Sequence, residues 1–457
     1  ETVTRRLNRD KSFVWIKRKL FREEREVIEG LALPGIGFLR EFKRFYPQET
    51  MCAQVLGMVD IDNKGIESLE LGYDRYLKPH DGEAVVIRDS KGKNLPIYRE
   101  FRKGSDGYNL HLTIDAHIQY WAEEFLKQAV IEAKAEGGAV VVMDPQTGRL
   151  LALCNYPTFD PNNPGAYERN CYRNRAVTDY YEPGSVFKIV TLVAALENLA
   201  GIEQKTFFCE NGEYKIPGTI LHDWKGFGNL RFEEVFMQSS NSGVAKITQM
   251  LGSKTLHEYV MRFGFGEPTG VDLPSETPGY VKPLAQWSKT SPYIIPMGQE
   301  ITASLLQLAR GFSVIANGGY LVKPYLVEQV MDKNRVVIKD IAPQRSGPVI
   351  SEEAARKART ILRKVVDTGT GKRAQVKGVA VAGKTGTAQK ISPSGGYSKR
   401  DFFATFVGFF PVENPRYVIA VNIDEAHGPY HTGGMIAAPL FQKIADKIAD
   451  YQHLRDE

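Results

Sequence analysis

The sequence predicts an α+β protein in which an antiparallel sheet is flanked by helices and preceded by a smaller region. Three observations predict it. Ala139–Met143 and Arg149–Cys154 are apolar strands joined by Asp144-Pro145-Gln146-Thr147-Gly148, a hairpin signature. A second such pair, Phe402–Phe410 and Tyr417–Ile423 around the turn Pro411–Arg416, lies far down the chain. The segments between the two hairpins read as mainly helical, so strands from both ends must meet around a helical middle.

Residues 1–25 fit a basic helix with an apolar stripe of Leu7, Phe13, Val14, Ile16, Leu20 and Phe21. Residues 26–104 mix short strands with turns such as Asp81-Gly82 and Lys91-Gly92. The polar, turn-forming cluster Gly104-Ser105-Asp106-Gly107 marks the domain boundary, dividing the chain into residues 1–104 and 105–457. Beyond it the pattern predicts a strand over Asn109–Ile114, then a helix over Ala116–Glu136 with Asp115 as N-cap. An amphipathic helix over Ile436–Tyr451 completes the order.

The composition excludes more than it assigns. Of 457 residues, 42% are hydrophobic and 25% charged, which rules out wholesale disorder and collagen-like repeats. A net charge of +5 is too mild to indicate nucleic acid. It belongs to residues 1–25, where Arg5, Arg6, Arg9, Lys11, Lys17, Arg18, Lys19, Arg22 and Arg25 outnumber Glu1, Asp10, Glu23 and Glu24. The body is neutral, and the basic end could meet anionic lipid or be a solvated helix. No run approaches the ~18 apolar residues needed to span a bilayer. The start at Glu1, with neither an initiator Met nor a signal-peptide pattern, reads as a fragment, so any upstream anchor lies out of view. Cys52, Cys154, Cys171 and Cys209 lack metal-ligand spacing and read as buried free thiols.

Ser-x-x-Lys occurs twice. Ser90–Lys93 sits in a polar turn and reads as coincidence. Ser185-Val186-Phe187-Lys188 follows Tyr181-Glu182-Pro183-Gly184 and opens the apolar run Ile189–Ala200, the pattern of a buried helix. Lys188 and Ser185 then share a face, helix N–H groups are available to an oxyanion, and burial lowers the lysine pKa toward that of a general base. A serine cap with a snorkelling lysine is the competing reading. Ser239-Ser240-Asn241, at a helix junction, can turn a hydroxyl and an amide into one cleft, or simply cap a helix.

Gly378–Thr385 formally matches the phosphate-loop pattern, but its alternating Val-Ala-Val-Ala centre reads as a strand, and no helix starts after it. Read as a strand, Lys384-Thr385-Gly386-Thr387 offers a cation, two hydroxyls and free backbone to a carboxylate or an extended peptide. His427 and His431 have i, i+4 spacing, yet the Gly-Pro between them forbids the helix that would align a zinc pair.

Taken in order, Ser-x-x-Lys, Ser-x-Asn and Lys-Thr-Gly form the motif set of penicillin-binding proteins and β-lactamases. The chain resembles the class B penicillin-binding proteins, monofunctional peptidoglycan D,D-transpeptidases, over nearly all its length. Arg44-Phe-Tyr-Pro47, Gly65–Leu77, Leu112-Thr-Ile-Asp115, Phe263-Gly-Phe-Gly266, Ala316-Asn-Gly-Gly319 and Val365–Thr370 add to the likeness. The wording Tyr-Glu-Pro-Gly-Ser and the compact N-terminal region are more like the septal, division-specific type.

The resemblance implies a serine β-lactamase-like transpeptidase domain (residues 105–457) with an all-helical subdomain, and an N-terminal pedestal (residues 1–104). It implies Ser185 as nucleophile, Lys188 as its base, Ser239 as relay between Lys188 and Lys384, and Asn241, Thr385, Gly386 and Thr387 as peptide-binding residues. The backbone N–H groups of Ser185 and Thr387 would form the oxyanion hole. No metal or cofactor is implied. The implied partners are stem peptides and lipid-linked precursor, β-lactams as covalent inhibitors, a membrane glycosyltransferase and other division proteins, with no nucleic acid. The implied location is the bacterial inner membrane, with the catalytic domain in the periplasm or otherwise extracytoplasmic. Alternatives are a D,D-carboxypeptidase using water as acceptor, a β-lactamase, for which the chain is long and lacks a Glu-based deacylation motif, and a β-lactam sensor or inactive division scaffold.

Overall fold

The computed structural model describes residues 2–8, 13–79, 83–88, 90, 94–102, 104–391, 396–428 and 430–455. Both expected hairpins form and join edge to edge. The resulting five-stranded antiparallel sheet runs in the order Ala382–Ile391, Tyr397–Phe410, Tyr417–Asp424, Gly137–Met143, Leu150–Tyr156. Val418 stands opposite Met143 and Ile423 opposite Gly138, which docks the late hairpin on the early one.

The sheet is covered on both faces, which is why its strands are apolar without a polar alternation. Successive side chains point to opposite faces. Val140, Val142, Phe406, Phe410, Ile419 and Val421 accordingly enter one core, and Val141, Met143, Val407, Phe409, Val418 and Ala420 the other. The helices Ala116–Ala133 and Ala437–Tyr451 cover the first face through Ile118, Leu126, Phe441, Ile444 and Ile448. Lys188–Asn198, Leu305–Ala316 and Glu352–Asp367 contribute to the second core.

Asp115 caps its helix as expected, accepting from the N–H groups of His117 and Ile118. That helix stops at Ala133 rather than Glu136. Lys134 turns left-handed at φ 49°, and the Glu136 N–H is given to Asp424 O at 3.0 Å. The middle of the chain is mainly helical, but it is interrupted by two-stranded ribbons, Thr206–Phe208 with Asn229–Arg231 and Glu213–Ile216 with Thr219–His222.

The single basic helix expected over residues 1–25 does not form. Helices occupy Thr2–Leu7 and Arg22–Gly30, and residues 13–20 are non-helical. Ion pairing to distant acids favours that path: the Arg18 guanidinium reaches Glu41 at 2.8 Å and Asp62 at 2.7 Å. Lys17 pairs with Glu24, Arg22 with Glu26 and Arg25 with Glu29, so much of the basic excess is locally answered. Residues 53–77 form short helical turns where strands were expected, and the strands of this region are the hairpin Glu83–Arg88 with Asn94–Arg102. The Asp81-Gly82 and Lys91-Gly92 turns lie outside the described residues, as does most of Ser90–Lys93.

Residues 44–77 fold onto the main body. Arg44 Nε and the Tyr46 hydroxyl both donate to Glu70 Oε1, at 2.6 and 3.1 Å. Cys52, Val55, Leu69 and Tyr73 share the second core of the main body, and the Tyr73 hydroxyl reaches Asp272 at 2.9 Å. Cys52, Cys154 and Cys209 are buried free thiols, whereas Cys171 is only half-buried.

Candidate active site

The three motifs meet between the sheet edge and the helical subdomain. Gly184–Phe187 is a 3₁₀ turn leading into the buried helix Lys188–Asn198, and it places Ser185, half-buried, at the head of that helix. The edge strand Ala382–Ile391 passes directly against this turn. A Cβ on Gly386 would lie 2.9 Å from Pro183 O and 3.0 Å from Val186 Cγ1. One on Gly184, at φ +59°, would meet Thr387 O at 3.0 Å. Glycine at these two positions is what lets strand and turn approach so closely.

The second motif supplies the link between two buried lysines. Ser240 caps the helix Asn241–Leu251, and Ser239 before it adopts φ +57°. That left-handed conformation is uncommon for a residue with a Cβ. It turns both the carbonyl and the hydroxyl of Ser239 inward. Lys188 Nζ donates to Ser239 O at 2.7 Å and to Asn241 Oδ1 at 2.7 Å, with Ser239 Oγ at 3.3 Å. Lys384 Nζ donates to Ser239 Oγ at 2.9 Å and to Thr385 O at 3.2 Å. One hydroxyl therefore stands between two amines.

Burial dominates the electrostatics. Lys188 is fully buried; the loss of water pushes its pKa down to about 7, against an opposing pull from Asp223. Lys384 is likewise buried, and its pKa falls well below the usual lysine value, first by desolvation and second by the charge of Lys188. Neither lysine forms an ion pair among the described residues. A lysine that is neutral near pH 7 and hydrogen-bonded toward a serine cleft can act as a general base.

The expected contact from Lys188 to Ser185 is not made. The Lys188 Nζ is instead engaged by Ser239 O, Ser239 Oγ and Asn241 Oδ1. On the strand, Thr385 is nearly buried and shares a hydrogen bond with Thr370 at 2.9 Å. Thr387 is half-buried and accepts from the Gly433 N–H at 3.1 Å, which leaves its own hydroxyl proton free to donate outward. The phosphate-loop decoy is excluded by the same geometry: Lys384 and Thr385 lie within the strand Ala382–Ile391, and no helix follows them. That strand starts only at Ala382, so the Val-Ala-Val-Ala centre expected as a strand is mostly outside it, with Val379 making just an isolated bridge to Val376.

Two further residues belong to the constellation. Thr370 stands behind Thr385, and Asp223 accepts from the Asn241 and Ser242 N–H groups and from the Ser240 hydroxyl. Thr370 ends a stretch already noted for its family likeness. Asp223 has no local signal, because only the ribbon Glu213–Ile216 with Thr219–His222 carries it to the motif.

Residues 138–446 match the family described as penicillin binding protein transpeptidase domain, and residues 2–112 the penicillin-binding protein dimerisation domain. The chain belongs to the class B penicillin-binding proteins. Among relatives of this penicillin-binding protein is the "Probable peptidoglycan D,D-transpeptidase PenA" of Neisseria meningitidis. It is 36% identical over 95% of this chain and 73% of its own length. Stage V sporulation protein D of Bacillus subtilis is 34% identical over 93% of this chain and 67% of its own. The crystal structure of penicillin binding protein 3 from Mycobacterium tuberculosis superposes with a TM-score of 0.80 at 32% identity, covering 90% of this chain and 91% of that one. That protein is also known in complexes with aztreonam and with ampicillin.

Proposed function

We propose that this penicillin-binding protein crosslinks peptidoglycan stem peptides as a serine D,D-transpeptidase, with Ser185 as the acylated residue. The observation that carries the assignment is the buried pair Lys188 and Lys384 joined through Ser239 at the head of the Ser185 helix. Ser185 Oγ attacks the carbonyl of the penultimate D-Ala, and its proton passes to neutral Lys188. For this the amine exchanges one of its present acceptors for Ser185, which lies one turn away on the same face. The N–H groups of Ser185 and Thr387 receive the oxyanion, since strand and turn lie against each other there. The bond to the terminal D-Ala breaks, and Ser239 relays a proton to the departing amine. Asn241 and the strand residues Thr385, Gly386 and Thr387 hold the donor peptide, with its terminal carboxylate near Lys384. A second stem-peptide amine then attacks the ester, forms the crosslink and returns the proton to Ser185. A β-lactam takes the donor's place and leaves a slowly hydrolysed acyl group.

A role in septal wall synthesis, a membrane anchor upstream and a membrane glycosyltransferase partner belong to this proposal. So does the division into a pedestal of residues 1–104 and a catalytic domain of residues 105–457. Among the described residues no helix is long and apolar enough to cross a membrane. The test is covalent labelling by a fluorescent penicillin. The parent chain should label stoichiometrically, and Ser185→Ala should not label while keeping its melting temperature. Labelling that persists in Ser185→Ala overturns the serine assignment. Incubation with lipid-linked precursor, with and without an acceptor amine, separates the reactions: crosslinks support transpeptidation, and D-Ala release alone supports a carboxypeptidase.

A further inference from the structure

Asp223 braces the Ser239–Asn241 turn from the side away from the two lysines. Asp223 follows the ribbon strand Thr219–His222, and nothing in its sequence surroundings marks it. Its Oδ1 accepts from the backbone N–H of Asn241 and, at 3.2 Å, from that of Ser242. Its Oδ2 accepts from the Ser240 hydroxyl at 2.7 Å, and that same oxygen of Ser240 receives the Gly243 N–H at 2.9 Å. The first free N–H groups of the helix Asn241–Leu251 are thus satisfied by one carboxylate and one serine, as helix N-termini require.

The residues on either side of Asp223 tighten the same strap. Asn241 Nδ2 donates to His222 O at 2.8 Å, and Trp224 Nε1 donates to Gln238 O at 2.7 Å. His222, Asp223 and Trp224 together fasten residues 238–242. The His222 contact fixes the Asn241 amide with its nitrogen outward, which turns Oδ1 to Lys188 at 2.7 Å.

The strap also brings an anion to a place that has none of its own. Two lysines converge on one hydroxyl without an ion pair among the described residues. The groups around Lys188 are Ser185 on the turn before its helix, Lys384 on the strand, Ser239 and Asn241 on the turn, and Asp223 behind that turn. Only the last is acidic. It is also the charge that opposes the effect of burial on Lys188.

We propose that Asp223 is a positioning residue for acylation, which buckles the 222–224 strap to the Ser239–Asn241 turn and provides the counter-charge to the Lys188–Lys384 pair. The inference rests on the reading of Ser185 and Lys188 as nucleophile and base. Its two parts separate experimentally because asparagine has nearly the shape of aspartate without the charge.

The experiment measures the rate of penicillin acylation against pH for the whole chain and its variants, with melting temperatures alongside. In D223N the acid limb should move down by about 1 on the pH axis, the size of effect one nearby charge produces. The sign follows from the charge: a carboxylate stabilises the ammonium, so its removal frees the lysine lone pair at lower pH. D223A, which also loses the clamp, should have a plateau lower by roughly tenfold or more, since small displacements of catalytic groups are costly. D223E restores the charge on a longer arm and should bring the limb back to that of the parent. If Asn is not accommodated, D223S serves the same comparison. A limb that stays at the parent's pH in the neutral variant, or one that D223E fails to restore, overturns the inference. A parent chain that is not acylated at all overturns the underlying reading instead.

Discussion

In the proposed mechanism Lys188 is the residue on which the chemistry depends most. A lysine in water is almost wholly protonated at neutral pH and has no lone pair to offer. Full burial disfavours the charge and pushes the pKa of Lys188 to about 7. Acylation by a penicillin should therefore be slow at pH 5.5, rise through about 7 and level off above it. Lys188→Arg should lower the rate by about 10³-fold, in the range of a lost general base, because a guanidinium stays protonated. A Lys188→Arg variant that still acylates within tenfold of the parent would exclude Lys188 as the base. Both residues of the first motif were legible in the sequence, since an apolar run behind Ser-x-x-Lys already implies a buried amine. The partner of that amine was not. Residue spacing pairs Lys188 with Ser185, whereas three closer acceptors on a distant turn capture it in the resting structure.

The elements that matter to the proposed mechanism are the edge strand Ala382–Ile391 and the turn Gly184–Phe187, which must touch for the proposed oxyanion hole to form. Gly386 permits the contact, with Pro183 O only 2.9 Å from where its Cβ would be. Gly386→Val should part the two elements and reduce acylation by roughly 10²-fold, the effect of about 1 Å of misplacement. Far-UV circular dichroism should be unchanged, because the strand keeps its ladder to Tyr397–Phe410. Undiminished acylation in that variant would mean the contact is not needed. Elements of this kind were the most legible part of the fold. The hairpins, the Asp115-capped helix and the C-terminal helix all follow from periodicity and local caps. Helix ends and residues 1–25 were less so, because they depend on long-range bonds such as Glu136 to Asp424 and Arg18 to Glu41. Asp223 escaped notice for the same reason.

At the scale of the whole molecule, the proposed division at residue 104 comes from the sequence, and the core runs across it. The polar cluster Gly104–Gly107 is a turn signal in the chain, and it says nothing about which segments pack together. In the structure Cys52, Val55, Leu69 and Tyr73 lie in the same buried cluster as Phe187, Val190 and Phe312 from the catalytic body. Polar bonds join the two parts as well: Glu123 accepts from the Cys52 N–H at 2.9 Å, and Asn162 binds both the N–H and the carbonyl of Tyr46 at 2.9 Å. Glu123 is largely buried, and that burial raises its pKa, so its stability depends on the donors that residues 52 and 119 provide. Removing residues 1–104 would strip apolar cover from the second core and leave buried polar groups without partners, each at a cost of about 1–3 kcal/mol. A chain beginning at residue 105 should therefore melt well below the full chain. It should still acylate wherever it is folded, because Ser185, Lys188, Ser239, Asn241 and Lys384 all lie beyond the cut. An equal melting temperature for the two chains would show that residues 44–77 rest on the catalytic body without supporting it. Loss of acylation in a truncated chain that remains folded would mean that residues 1–104 also shape the active site.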